Sequence, residues 1–282
     1  MKLYHEKAEI YIPDSSDPAQ ALSRTTHLAI GAHHDDLEIM AIDGILKCFQ
    51  RPENWFCGVV TTDGGGSPRS GIYADYSDEQ MKAVRVLEQK KAAQLGDFSA
   101  QIFLSYPSSV VKNGQDRSSV DDLVAILKAT KPKVVYTHNL VDKHLTHIAV
   151  AMRTIRALRE LPPDQRPEEV YGCEVWRALD WIMDDEKMVF DCSEKTNLQA
   201  ALLGVFDSQV SGGKRYDLAA MGRRLANATF YASHDTDEAS GLAYAMDLTP
   251  LVNDGNLDIR NYVQEFIDRF AHNVNNMIAS VT

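Results

Sequence analysis

With 282 residues, 44% hydrophobic and 24% charged, the chain has the length and composition of one large α/β domain with a generous core. Its formal net charge of −11 argues against broad attraction to nucleic acid or an anionic membrane, which both need a basic face, while leaving room for a local basic patch that binds an anionic substrate. Cys48, Cys57, Cys173 and Cys192 show no CxxC spacing, residues 1–7 hold no apolar signal core, and no apolar run nears the roughly 18 residues of a membrane span, so free thiols and a cytoplasmic location are expected.

Short apolar runs alternate with helix-period segments, which predicts parallel strands joined by crossover helices. The fold class is α/β, a Rossmann-like, mostly parallel sheet flanked by helices, with an irregular C-terminal part. Strands are expected at 28–32, 56–61, 101–104, 134–137 and 172–176. A helix over 77–95 opens with a capping-box pattern, Ser77 followed by Gln80, and another over 119–131 stops before Pro132. A third starts near His144 and runs to Leu161, where Pro162 and Pro163 end it, and this would put His144 and His147 on one face of its first turn. A proline-rich surface loop over 161–169 follows. Residues 1–282 therefore read as a single domain, with a core of about 24–210 and a C-terminal extension over 211–282.

Two clusters carry the chemistry. Gly31-Ala32-His33-His34-Asp35-Asp36-Leu37-Glu38 puts two histidines and two aspartates in consecutive positions behind an apolar run, and Thr137-His138-Asn139-Leu140-Val141-Asp142-Lys143-His144-Leu145-Thr146-His147 follows a second run. Ligands of open parallel sheets bind beyond the carboxyl ends of strands, so two neighbouring strand ends would bring both clusters together. A catalytic zinc keeps three His, Asp or Glu ligands and one open position, and His33, Asp36 and His147 supply such a set; Fe2+ or another divalent metal is also compatible. Asp35 is placed to take a proton from water as general base, although spacing alone leaves open which aspartate ligates and which faces substrate. His144 is the candidate oxyanion donor and acid for a leaving amine. Asp142 and Glu38 are candidate partners that fix the ligand imidazoles, Glu38 that of His33. His138, just past a strand, reads as a structural histidine.

Around this centre, Arg85 and Glu88 sit on the apolar stripe of the 77–95 helix, which implies either an internal pair or a contact with substrate or a loop. The loop 63–70, with Arg69, follows a strand but matches neither GxGxxG nor the P-loop; it reads as a substrate loop or an inert turn.

The motif residues resemble those of the PIG-L/LmbE-like family of zinc-dependent de-N-acetylases, which act on N-acetylglucosaminyl and related conjugates. The family's Ala-His-Pro-Asp-Asp-x-Glu appears as Ala32-His33-His34-Asp35-Asp36-Leu37-Glu38, and its His-x-Asp-His core, preceded by an acidic residue, as Asp142-Lys143-His144-Leu145-Thr146-His147. Thr61-Thr62-Asp63-Gly64, Arg85 with Glu88, Glu174-Val175-Trp176 and Ser208-Gln209 add support, so the likeness spans residues 28 to about 209. The resemblance implies His33, Asp36 and His147 as zinc ligands, Asp35 as base, His144 as oxyanion stabiliser or acid, and Gln209 near the substrate. Two departures stand out. His34 replaces the motif proline and places a titratable, candidate substrate-binding side chain near the metal, and Thr146 replaces the aspartate that would orient the catalytic histidine, a role Asp142 is positioned to assume.

The expected function is a metal-dependent deacetylase that hydrolyses the N-acetyl group of an N-acetylglucosamine-type sugar conjugate. Its partner is then a small molecule, with no nucleic acid and no membrane span, and the family resemblance is compatible with a homo-oligomer. The alternatives are a catalytically weak metal- and sugar-binding regulatory protein, suggested by His34 and Thr146, and a non-haem Fe(II) oxygenase, since two histidines and a carboxylate also describe that facial triad. A nucleotide-binding α/β protein is disfavoured by the lack of a phosphate-loop fingerprint.

Overall fold

The computed structural model describes residues 1–282. Its eight strands are β1 (Glu9–Tyr11), β2 (His27–Gly31), β3 (Phe56–Thr62), β4 (Ala100–Tyr106), β5 (Val134–His138), β6 (Glu169–Cys173), β7 (Met188–Asp191) and β8 (Leu242–Asp247). They form one sheet in the order β1-β4-β3-β2-β5-β6-β8-β7. The run from β4 to β6 is parallel, while β1, β8 and β7 attach antiparallel at the two sides. Helices cover both faces, as expected for a mostly parallel sheet.

Alternation along each strand explains the double burial. Leu28, Ile30, Val59, Ile102 and Val135 point into one apolar cluster, and Ala29, Val60, Phe103 and Tyr136 into the other. With both faces covered, the strands read as near-continuous apolar runs rather than as alternating ones.

Four expected strands lie within two residues of their predicted bounds. The fifth does not: it spans Glu169–Cys173, three residues earlier than expected, because the strand follows directly on the Pro167 loop and its pairing with β5 starts at Glu169 opposite Val134. Val175 and Trp176 therefore lie beyond the strand's carboxyl end. The segment after residue 210 is more ordered than its pattern suggested, since β8 inserts between β6 and β7 and the helix Tyr216–Phe230 packs against it.

The helix Asp78–Leu95 has the complete capping box of Ser77 and Gln80, and Ser118–Thr130 ends at Lys131, which takes φ 46° just before Pro132. The third helix is Leu145–Arg159, and here the structure corrects the sequence reading. His144 is its N-cap residue, with extended backbone (φ −99°, ψ 116°), so it does not share a helical face with His147.

The strand order reverses between β2 and β5: β3 and β4 follow on one side of β2, and β6 follows on the far side of β5. That switch point opens a crevice at the carboxyl ends of β2 and β5, where both histidine clusters begin. All four cysteines are free and buried, and no helix is long and apolar enough to cross a membrane.

Candidate metal centre and its cavity

Beyond β2, the chain turns sharply at Asp35, which adopts a left-handed conformation (φ 92°, ψ −27°) before the short helix Asp36–Met40. Such a backbone is uncommon outside glycine, with Asp among the residues that tolerate it, and it must be held by its surroundings. Gln89 accepts a hydrogen bond from the Asp35 N–H at 3.2 Å, and Arg85 donates to the Asp35 carboxylate at 3.2 Å and to the His34 carbonyl. The turn separates the two aspartates, so that Asp36 faces the histidines while Asp35 faces Arg85.

His33 Nδ1 lies 3.1 Å from His147 Nε2 and 3.2 Å from Asp36 Oδ2, and His147 Nε2 lies 3.5 Å from Asp36 Oδ1. Donors about 2.0–2.1 Å from a tetrahedral zinc stand roughly 3.3 Å apart, so this spacing fits a metal. Two imidazole nitrogens at 3.1 Å with a carboxylate beside both are what such an ion would hold together. His144 also converges, its ring centroid 4.7 Å from that of His147 and 5.0 Å from that of His33.

His138 joins the same cluster, a position the sequence reading set aside as structural. Its buried Nε2 accepts the Ala32 N–H at 2.9 Å and lies 3.4 Å from Asp36 Oδ2, and its ring stacks on His147 at 3.9 Å. Because the Nε2 lone pair serves the Ala32 amide, His138 acts as a packing and positioning partner of His147 and Asp36.

Asp142 supports this centre from the β5 side. Its Oδ1 accepts the His144 N–H at 3.0 Å, its Oδ2 accepts the Trp176 N–H at 3.1 Å, and the same oxygen lies 3.5 Å from His147 Nδ1. That contact favours a proton on Nδ1 and leaves Nε2 for the cluster. The buried Nδ1 atoms of His147 and His144 both lack a full hydrogen bond, but only that of His147 has a carboxylate within reach. Thr146 leaves the His144 Nδ1 without one, and Asp142 compensates only through the backbone.

Electrostatics separates the acidic pair. Burial raises the Asp35 carboxyl above the usual range, and the neighbouring Asp36 charge adds to this against the pull of Arg85. Burial works against Asp36 as well, but His147 and His138 outweigh it and hold Asp36 well below the ordinary value. His144 is pushed down to about 4 by burial and by the adjacent imidazoles, so at neutral pH it offers a neutral N–H donor.

The cluster opens into a cavity of about 560 Å3, lined by His33, Asp35, Asp36, Arg85, His144 and Gln209 among others. Three expected positions fall elsewhere. His34 is 1% exposed, its ring stacked on Phe103 at 5.7 Å behind the cavity wall, where Gly64 (φ 72°) makes room for it; a Cβ there would sit 2.9 Å from His34 Nδ1. Arg69 spends its guanidinium within its own loop, on the carbonyls of Gly65 and Tyr76 and on Asp78. Glu38 makes no contact with His33; two residues past Asp36 on the short helix, it points away and accepts Gln89 Nε2 at 2.7 Å. Arg85 pairs with Asp35 rather than with Glu88, whose carboxylate receives the Ser208 N–H at 2.7 Å and hydroxyl at 2.6 Å.

Sequence reasoning missed Gln89 and Arg224. Gln89 links Asp35 to Glu38, and Arg224 ties the Tyr216–Phe230 helix to the first motif by donating to the Glu38 carbonyl at 2.8 Å. Their only sequence signal was a polar residue on an otherwise buried helix face.

Residues 28–158 match the family model described as PIG-L: GlcNAc-PI de-N-acetylase. The chain is 26% identical over 151 residues to an uncharacterized deacetylase, YaiS, of Escherichia coli K12, covering 53% of this chain and 76% of that protein. Among solved structures, the N,N'-diacetylchitobiose deacetylase of Pyrococcus horikoshii superposes with a TM-score of 0.59 at 17% identity, covering 78% of this chain and 83% of that one. The 4-carboxy-2-hydroxymuconate hydratase GalB of Pseudomonas putida KT2440 superposes with a TM-score of 0.58 at 15% identity, covering 79% of this chain and 96% of that one. At such identities the superpositions establish the fold.

Proposed function

For a chain whose residues 28–158 match the family model of the PIG-L de-N-acetylases, we propose a metal-dependent deacetylase that removes the acetyl group from an N-acetylated amino sugar conjugate. The observation that carries this reading is the juxtaposition, at one strand switch point, of a three-donor cluster and a separate buried carboxylate on one cavity wall.

When bound at His33, Asp36 and His147, a divalent ion, zinc by family likeness, supplies the Lewis acidity that lowers the pKa of water and polarises an acyl oxygen. Asp35 accepts the proton of the attacking water; its raised proton affinity suits a group that takes a proton and returns it within one turnover. His144, beside His33 on the cavity wall, donates its N–H to the oxygen on which negative charge develops. The water oxygen bonds to the acyl carbon, the C–N bond breaks, and the amine leaves with the proton that Asp35 carried. Arg85 keeps the base oriented, and Gln209 lies where the sugar hydroxyls would pass.

Assay of amine release from a panel of N-acetylglucosamine conjugates by metal-loaded protein tests this. Turnover of at least one conjugate is expected, and no amine from any member of the panel would count decisively against the reading.

A further inference from the structure

The last helix, Ile259–Val281, has one side that its own chain leaves bare. The side facing the body holds Tyr262 and the buried Phe266, and Arg269 on it pairs with Glu186 at 2.5 Å. Next to that side, Val263, Ile267, Phe270, Val274, Met277 and Val281 follow one another in steps of three and four residues, which draws a single apolar stripe along the helix, widened by Ile278. From Ile267 onwards each of these side chains is at least 37% exposed. Residues 273–282 extend about 15 Å as helix, a length that is marginal in water unless a neighbour covers the apolar side.

The stripe begins inside a groove of about 670 Å3 between this helix and the helix Leu145–Arg159, lined by Leu140, Ile148, Met152, Leu257, Ile259 and Val263. Arg159 in its wall donates to the carbonyls of Leu251, Asp254 and Leu257, and the exposed Asp258 and Arg260 offset one another at the rim. The groove therefore suits an apolar, uncharged occupant. Residues 270–282 are such a segment, for they contain no Asp, Glu, Lys or Arg in a chain of formal net charge −11. One continuous helix carries them away from the groove of their own chain, whereas a second copy can deliver them to it. Antiparallel pairing that crosses near Phe270 sets Val274 against Ile267, Met277 against Val263 and Val281 against Ile259, so each exposed half lies over the other copy's groove and one two-fold axis fills both. The exposed stripe offers on the order of 600 Å2 per copy, ~1,200 Å2 in all, which reaches the lower end of a specific interface. A lipid surface fits less well, because the polar side carries Asn275 and Asn276 in place of the Lys and Arg that hold interfacial helices.

We propose that the helix Ile259–Val281 and the groove beside it form a two-fold, antiparallel interface with a second copy of this chain. The inference stands independently of the deacetylase reading. Ile148, which lines the groove, directly follows His147, so the partner copy packs behind the helical turn that presents that imidazole.

Sedimentation of the full chain from about 5 to 500 µM should show a monomer–dimer equilibrium. Val274→Lys and Met277→Lys place a charge on the exposed stripe, where the monomer tolerates it, and each should weaken the dimer about tenfold or more. Asn276→Lys, on the opposite side of the helix, should leave the equilibrium unchanged. Cysteine pairs read the arrangement directly, because all four native cysteines are buried and an introduced thiol reports alone. Mixing Met152→Cys with Met277→Cys under mild oxidation should give a crosslink between copies, and Met277→Cys by itself should give none. A monomer at every concentration, a dimer that survives both stripe variants, or a Met277→Cys chain that crosslinks to itself in place of the mixed pair would overturn the proposal. Flotation of the protein with phosphatidylcholine vesicles, abolished by the same two variants, would overturn it as well by giving the stripe to lipid.

Discussion

Asp35 and Asp36 are neighbours in sequence and opposites in environment. The left-handed turn at Asp35 sends one carboxylate to Arg85 and the other to the imidazoles, and the raised and lowered proton affinities follow from that division. Arg85 and Asp35 are both buried, so Arg85→Met should leave Asp35 protonated and the His34 carbonyl and Ser67 without their donor, and cost about 2–3 kcal/mol of stability, measured by denaturant unfolding. A cost below about 1 kcal/mol would mean that the pair does not hold the turn. At His144 the missing partner is the informative feature. Thr146→Asp should supply an orienting carboxylate, raise the imidazole pKa as read by NMR titration, and raise kcat several-fold; an unchanged titration would show that residue 146 does not face that ring. The residue types and spacing of both clusters were legible in the sequence because motif and strand end coincide. The burial of His34 against Phe103 and the self-directed bonds of Arg69 were not, since both depend on which distant segments pack alongside.

Elements position these residues through their ends rather than their faces. The carboxyl ends of β2 and β5 deliver the clusters, and the helix Leu145–Arg159 begins one residue after His144. The capping box at Ser77 and the helix start near His144 were both readable, whereas the extended backbone of His144 was not, because a residue without a side-chain cap resembles the helical run that follows it. The edge strands β1 and β7 escaped detection because strands of three or four residues carry little periodicity. The last helix, Ile259–Val281, buries only Phe266 fully, and Met277, Ile278 and Val281 are all at least 56% exposed. In protein dilute enough to be monomeric, deleting residues 273–282 should shift the melting temperature by less than about 2 °C, because little buried apolar surface and no ion pair is lost within the chain. A fall beyond about 5 °C would show that this half of the helix packs on its own chain in solution.

At the scale of the molecule, one mixed sheet with two covered faces builds the crevice, and its parallel middle was legible from the alternation of apolar runs and helical periods. The antiparallel additions were not, because β8 reaches the sheet from a segment far along the chain. The same fold in GalB, a hydratase, and in the Pyrococcus chitobiose deacetylase shows that architecture alone does not select the chemistry. Stability should carry a pH signature of the buried His27, whose burial lowers its pKa to about 4. The unfolded chain takes up that proton near the ordinary value of 6.5 while the folded protein does not, so the His27 contribution to stability should be lost as pH drops from about 6.5 towards 4, by roughly 3 kcal/mol, on top of same-signed losses from the buried His34, His138 and His144. His27→Gln should flatten that slope; an identical slope in the variant would assign it to other groups.

Within one cluster, His33, Asp36 and His147 are proposed to hold metal while Asp35 moves a proton. The most direct test measures metal content and acetate release on the same preparation of Asp35→Asn, beside wild type. One divalent ion per chain is expected in both, with turnover in the variant reduced by about 10² to 10⁴. Loss of the metal in Asp35→Asn, or turnover equal to wild type, would contradict that division of roles.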